Sequence, residues 1–301
     1  MTQEAMIEKW PGEVAIVRIG DTISVGGEKT LPFLFKEASL PHKPVVAYEI
    51  WDVFPREWPE ELLSIYGNCL KDPIAWAKKC AKEYKAQLLC LRLYAAHPDQ
   101  GNIKIEQEAK LACDIIKETN LPLIILGCGD DAVDNQMLPL CSEKTKSKRC
   151  LLGCVTQDNY KTLTAAALAD GHNIIAESPI DINIAKQLNI LISDMGLSLD
   201  RIVINPTTGS LGYGLEYAYS IMERARLAGL SGDKTVASPF ICFVGQETWK
   251  TKEAKIKDQG VAWEVITATS LLQAGANILV MRHPESIAKV KSYIDAMYGG
   301  N

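Results

Sequence analysis

QLLCLRLYAAHPDQGNIKIEQEAKLACDIIKETNLPLIILGCG, residues 87–129, sets two apolar runs around one segment of a different period. QLLCLRLYAA (87–96) and LPLIILGCG (121–129) are nearly continuous in Leu and Ile, the pattern of strands covered on both faces. Between them, KIEQEAKLACDIIKETN places Ala109, Ala112, Ile115 and Ile116 on one stripe at helical spacing. A strand, a helix and a second strand of this kind form the repeating unit of a parallel sheet.

The alternation extends in both directions. VVAYEIWDV (45–53) precedes the unit, and CLLGCVT (150–156), HNIIAES (172–178), RIVINPTTG (201–209), FICFVGQE (240–247) and NILVMRH (277–283) follow it. Asp72-Pro73 supplies an N-cap and a first-turn proline for a helix running through WAKKCAKEYK. Gly171, Gly196 and Gly275 are placed to close helices, and PESIAKVKSYIDAMYG opens one with Pro284. Eight strand–helix units in about 250 residues are the arithmetic of an α/β (β/α)8 TIM barrel. A doubly wound open sheet is the competitor, but it wants a glycine-rich turn after its first strand, where this sequence reads WDVFPREWPE. Residues 1–44 lie outside the repeat. EVAIVRIG and TISVGGEK flank Gly20-Asp21, which reads as a two-residue hairpin turn. The expectation is an N-terminal extension (1–44) whose β-hairpin caps the barrel bottom, and a TIM barrel over 45–301.

Composition bounds the function. The chain is 47% hydrophobic and 23% charged over 301 residues, an ordinary globular mix, and its net charge of -5 gives a nucleic-acid partner no general support. No apolar run approaches the roughly 20 residues of a bilayer span. MTQEAMIEKW lacks the basic region and apolar core of a secretion signal, so a cytoplasmic protein is expected. Nine cysteines are an odd number, mostly inside apolar runs, and read as buried thiols. Cys150 and Cys154, evenly spaced, are expected on one face of a strand. His42, His97, His172 and His283 are scattered, so no metal site is expected on this chain.

In such a barrel, chemistry collects at the C-terminal strand ends. Those ends supply Asp52, His97, Cys128, Glu177, Asn205 and Arg282-His283. The loop INPTTGSLGYGLEYAY is the most distinctive, with Thr207, Thr208, Gly209, Ser210, Gly212, Tyr213 and Gly214 just before a helix. Glycines there either admit a ligand to the backbone or merely permit a tight turn. GQETWKTKEAKIKDQG adds Gln246, Glu247 and Trp249, an amide and a flat surface, beside Lys250, Lys252, Lys255 and Lys257. The basic run Lys144 to Arg149 falls at the opposite mouth and reads as solvated. Glu49, Arg92 and Arg282 sit within neighbouring strands and are expected to pair internally. Asp170-Gly171-His172 imitates a cobalt-ligand motif, but the motif's glycine is missing and His172 starts a strand at the wrong mouth. No hydrolase or P-loop signature is present.

Three segments carry a family resemblance: GEKTLPFLFKEASLPHKPVVAYEIWD, INPTTGSLGYGLEYAYSIMERARLAGL and SPFICFVGQETWKTKEA. The chain resembles the small (delta) subunit of the corrinoid iron–sulfur protein of the reductive acetyl-CoA pathway. The resemblance implies a barrel related to pterin-dependent methyltransferases and a heterodimer with a large (gamma) subunit. That subunit holds a four-iron four-sulfur cluster, and a cobalamin is shared at the interface. It also implies a methyl carrier that takes its methyl group from methyltetrahydrofolate through a methyltransferase and delivers it to acetyl-CoA synthase. On that reading this chain is non-catalytic and caps the cobalamin with the 207–214 and 246–249 loops. The competing reading is a stand-alone pterin-dependent methyltransferase on the same barrel.

Overall fold

The computed structural model describes residues 8–298 except 36, 39, 101–104 and 257. Eight parallel strands close into a barrel: β3 (Val45–Trp51), β4 (Leu88–Arg92), β5 (Leu123–Leu126), β6 (Leu151–Val155), β7 (Asn173–Glu177), β8 (Ile202–Asn205), β9 (Phe240–Cys242) and β10 (Ala276–Met281). Closure is made by β10 beside β3, with Ile278 opposite Val45 and Met281 opposite Tyr48. The chain is thus a TIM barrel, as the alternation predicts.

Period-two alternation divides the core. Ala47, Leu88, Cys90, Ile124, Leu126, Ile175, Val203, Ile241, Ile278 and Val280 fill the barrel interior. Their alternates, such as Val46, Leu89, Ile125 and Leu279, face the helices. The covering helices are α1 (Glu60–Tyr66), α2 (Pro73–Lys82), α3 (Ile105–Thr119), α4 (Asp131–Lys144), α5 (Tyr160–Asp170), α6 (Ile182–Asp194), α7 (Leu215–Leu230), α8 (Val244–Thr248), α9 (Gly260–Gln273) and α10 (Pro284–Tyr298). Local signals set their ends. Asp72 accepts from the N–H groups of Ile74 and Ala75 at the start of α2, and Gly171 closes α5 in the left-handed region, at φ +83°. The expected stripe of α3, from Ala109 to Ile116, is buried.

The N-terminal hairpin pairs β1 (Val17–Ile19) with β2 (Ile23–Val25). Val17, Ile19, Ile23 and Val25 belong to the same apolar cluster as the barrel interior. Two bonds tie the hairpin to the strand starts: Gly20 donates to the Arg149 carbonyl at 3.0 Å, and Asn173 donates to the Arg18 carbonyl at 2.7 Å. A buried polar set adds to them, because Asn277 bonds Glu28 and also accepts from Arg226.

Three sequence expectations need correction, and one helix was not anticipated. The hairpin turn is not two residues long: Ile19 pairs with Ile23, leaving Gly20, Asp21 and Thr22 between. The strand expected over 240–247 stops at Cys242, because the backbone turns into α8 from Val244. Short apolar runs do not distinguish strand from buried helix. An uncalled helix, α1, forms within WPEELLSIYG, burying Leu62 and Tyr66. Cys150 and Cys154 do not share a face. Cys150 packs among the helices and Cys154 against the interior, since a register shift between Leu152 and Val155 interrupts the alternation.

Candidate functional site

At the C-terminal mouth a cavity of about 330 Å³ opens over the barrel interior. Arg92, Cys154, Glu177, Asn205 and Phe243 line its floor, each at or just past the end of a different strand, with Thr207, Thr208, Gln246 and Glu247 on one side. A second depression, of about 670 Å³, is lined by Trp51, Phe54, Tyr94 and His97. The two meet at residues 127–129, where Gly127 and Gly129 line the first and Cys128 the second.

Beneath the cavity lies the ion network expected from the strand charges. Glu49, fully buried, receives Arg282 Nε at 2.7 Å and Arg92 Nε at 3.2 Å, and Trp51 donates to it at 2.9 Å. Burial pushes the Glu49 carboxyl up, but Arg282 and then Arg92 outweigh it and hold the group at about 2. Arg282 packs over Trp51 and Trp58, and Arg92 over Tyr94 and Phe243. Arg92 also donates to Gln246 at 2.6 Å; Gln246 donates to Glu247 at 3.1 Å, and Lys250 pairs with Glu247 at 2.8 Å. A chain of polar contacts therefore runs from the barrel axis to the rim. Glu264 on α9 accepts from the backbone N–H groups of Arg282 and His283, fixing the end of β10.

The predicted residues divide into two groups. Thr207, Thr208, Gln246 and Glu247 reach the cavity. Thr207 stands in the left-handed region, at φ +64°, with its hydroxyl donating to the Ser178 carbonyl at 2.8 Å. Thr208 accepts from the Phe243 N–H at 2.7 Å. Gly209, Ser210, Gly212, Tyr213 and Gly214 instead build a turn closed upon itself: Ser210 bridges to Tyr213 and Gly214, and its carbonyl accepts from Tyr213 and Leu215. Tyr213 lies exposed on the rim with its hydroxyl donating to Glu253. Trp249 is corrected. It offers no flat surface to the rim, because it is buried and stacks on His283 with ring centroids 5.8 Å apart. Lys257 lies outside the described residues.

Cys154 and Phe243 are cavity residues that pattern reading did not place there. Gly153, a glycine inside a strand, was the available sign for Cys154. A Cβ there would meet Ile175 at 2.8 Å, and the bulge follows that close approach. The Cys154 thiol is pushed well above the usual range by burial and by neighbouring Glu177, so it is held as a neutral thiol. His172 is fully buried at the opposite mouth, accepting from Cys150 N–H and bonding the Ser142 carbonyl at 2.9 Å. Its role there is structural.

Asp52 and Glu108 form a separate acid pair. Asp52 accepts from the Ala95 N–H at 2.9 Å, whereas Asp52 Oδ1 and Glu108 Oε2 are buried and meet no N–H or hydroxyl donor among the described residues. A proton held between the two carboxyl groups would satisfy both. Burial raises both groups, and the charge of Asp52 raises Glu108 further. A carboxyl whose affinity for protons rises on folding stabilises the fold below its ordinary range and ceases to do so as pH climbs through the raised value. The urea midpoint should therefore fall between about pH 5 and about pH 9. Glu108→Gln, whose amide can donate to Asp52, should flatten that dependence by about 1–2 kcal/mol. An unchanged slope in the variant would mean that the pair holds no proton.

Together these elements define a barrel whose polar mouth sits over an arginine pair already matched to Glu49. Its fold is that of dihydropteroate synthases. The Xanthomonas albilineans enzyme matches with a TM-score of 0.62 at 13% identity, over 86% of this chain and 94% of that one. The Burkholderia cenocepacia enzyme, complexed with 7,8-dihydropteroate, matches with a TM-score of 0.58 at 12% identity, over 95% and 98%. At such identities the likeness establishes the fold alone. Sequence goes further: the family model for the CO dehydrogenase/acetyl-CoA synthase delta subunit matches residues 13–294. The acetyl-CoA decarbonylase/synthase complex subunit delta of Methanocaldococcus jannaschii is 30% identical over 96% of this chain and 75% of its own length. That of Methanothermobacter thermautotrophicus is 31% identical over 93% and 75%. This chain belongs to the CO dehydrogenase/acetyl-CoA synthase delta subunit family.

Proposed function

We propose that this chain is a non-catalytic subunit of an acetyl-CoA decarbonylase/synthase-type assembly, the small subunit of a corrinoid iron–sulfur protein. It caps and positions a cobalamin carried mainly by the large subunit. The observation that carries this reading is the rim. Around a mouth whose arginines are already paired stand exposed Phe54, Ile180, Tyr213, Tyr217 and Ile256, from the segments following β3, β7, β8 and β9. Aromatic and aliphatic side chains ringing a polar depression suit a protein interface.

A cavity of about 330 Å³ is too small to swallow a substituted macrocycle, but the two adjoining depressions form a broad floor beneath one. Gln246, Thr207 and Asn205 are the groups able to meet peripheral amides, and Phe243 and Tyr94 offer apolar faces. When bound, the corrinoid supplies a cobalt that receives and passes on a methyl group. This chain's residues exclude water from that face and hold its edge. With Cys154 neutral and the Arg92 and Arg282 charges committed to Glu49, the floor offers neither a thiolate nor an unpaired guanidinium among the described residues.

Sedimentation of the chain with the corrinoid-loaded large subunit should give a one-to-one complex, and Tyr217→Glu with Ile180→Glu should weaken it at least tenfold. Full association by the double variant would overturn the capping role. A second reading, a pterin-dependent methyltransferase, draws on one observation: Glu177 and Asn205 both line a cavity sized for a bicyclic heterocycle. Saturable micromolar binding of methyltetrahydrofolate by this chain alone would favour it.

A further inference from the structure

At the other end of the barrel, three arginines from separate segments converge. Arg18 stands on β1 of the hairpin, Arg149 precedes β6 and Arg201 precedes β8, and all three line a depression of about 520 Å³ together with Asn173 and Asp200. We propose that this N-terminal mouth binds a phosphate-bearing small molecule between the hairpin and the starts of β6 to β8. The proposal goes beyond the capping role and uses the opposite face of the molecule.

The charge balance argues for an anion. Three guanidinium groups face one carboxylate, a local surplus of two positive charges on a chain whose net charge is -5. Among the described residues neither the Arg18 nor the Arg149 side chain has an ion pair, and neither donates a hydrogen bond. Arg201 is committed in part. Its Nε donates to the His172 carbonyl at 3.1 Å and one terminal nitrogen to the Ala167 carbonyl at 2.7 Å, which fixes the plane of the guanidinium and leaves its other terminal nitrogen free. A rigid fork flanked by two free ones matches the oxygens of a phosphate dianion better than a single carboxylate.

The backbone holds this arrangement firmly. Arg149 adopts φ +48° and Ser147 φ +64°, a region that side chains other than glycine rarely occupy. Both are pinned: the Arg149 carbonyl by Gly20 of the hairpin turn, and the Ser147 N–H by the Asp170 carbonyl at 2.9 Å. Asn173, whose amide fastens β7 to the Arg18 carbonyl, fixes the third side. The basic run 144–149 is thus not a uniform solvated face. Lys146 is neutralised by Asp170, while Arg149 is turned into the depression.

The test is calorimetric titration of the full chain with inorganic pyrophosphate in dilute chloride buffer. One saturable site is expected, with affinity falling about tenfold in Arg149→Gln and again in Arg149→Gln with Arg18→Gln. Neither side chain makes an ion pair or hydrogen bond among the described residues, so the variants should keep the wild-type melting temperature without ligand. Lys255→Gln, beyond β9 at the other end of the barrel, should bind as wild type does. Heat that does not saturate, or equal affinity in wild type and double variant, would overturn the proposal.

Discussion

Replacing Glu49 by alanine should cost the barrel about 3–5 kcal/mol, read as a lowered urea midpoint with an unchanged slope. Glu49 is fully buried and is the counter-ion of two guanidiniums at once. Removing it strands both on the barrel axis, one against Trp51 and Trp58 and the other against Phe243. The loss of one attraction is the smaller part of the cost. The larger part is two uncompensated charges in a dry interior, repelling each other. Glu49→Gln should fall nearly as far, since it keeps the shape and discards the charge. Glu49→Met combined with Arg92→Leu and Arg282→Met should regain most of the loss, because a fully apolar layer strands nothing. The depressed carboxyl adds a pH signature: its contribution is present above its ordinary range and disappears as pH falls through about 2. A drop below about 1 kcal/mol in Glu49→Ala would show that water reaches the guanidiniums and that the mouth is open to the axis.

The same three residues show what the sequence could disclose. Glu49, Arg92 and Arg282 each break an apolar run at a strand, and neighbouring strands of a closed barrel leave such charges little choice but one another. Barrel topology, strand count and helix caps were legible because each rests on a local pattern repeated eight times. What escaped depended on tertiary space. Trp249 and the lysines beside it look alike from outside, yet the indole folds under and rests on His283. A Cβ on Gly260 would lie 2.3 Å from the same ring, so a small residue eleven positions on makes room for it. The Asp52–Glu108 contact joins the end of one strand to a helix far along the chain, and no spacing announces it.

The candidate loop divides in the same way. Gly209, Gly212 and Gly214 are equivalent in sequence but not in the fold, and two substitutions should separate their roles. Gly209→Ala should destabilise the protein by about 2–4 kcal/mol. A Cβ there would lie 2.3 Å from the Gly214 carbonyl oxygen and 2.7 Å from the Leu215 nitrogen, all backbone that cannot swing aside. The turn would have to open, breaking the bridges from Ser210 to Tyr213 and Gly214 and loosening the start of α7. Thr207 and Thr208 hang from the same turn, so the cavity wall and the rim tyrosines should shift together, and association with the large subunit proposed above should weaken as stability falls. Gly212→Ala meets open space and bears only the strain of its φ of +76°, so about 1 kcal/mol is expected, with association nearly intact. Thermal unfolding and sedimentation of the two variants side by side would check both. Equal costs at the two positions would mean that the loop is pliable, and that its glycines serve chain flexibility rather than the close crossing of one strand of backbone over another.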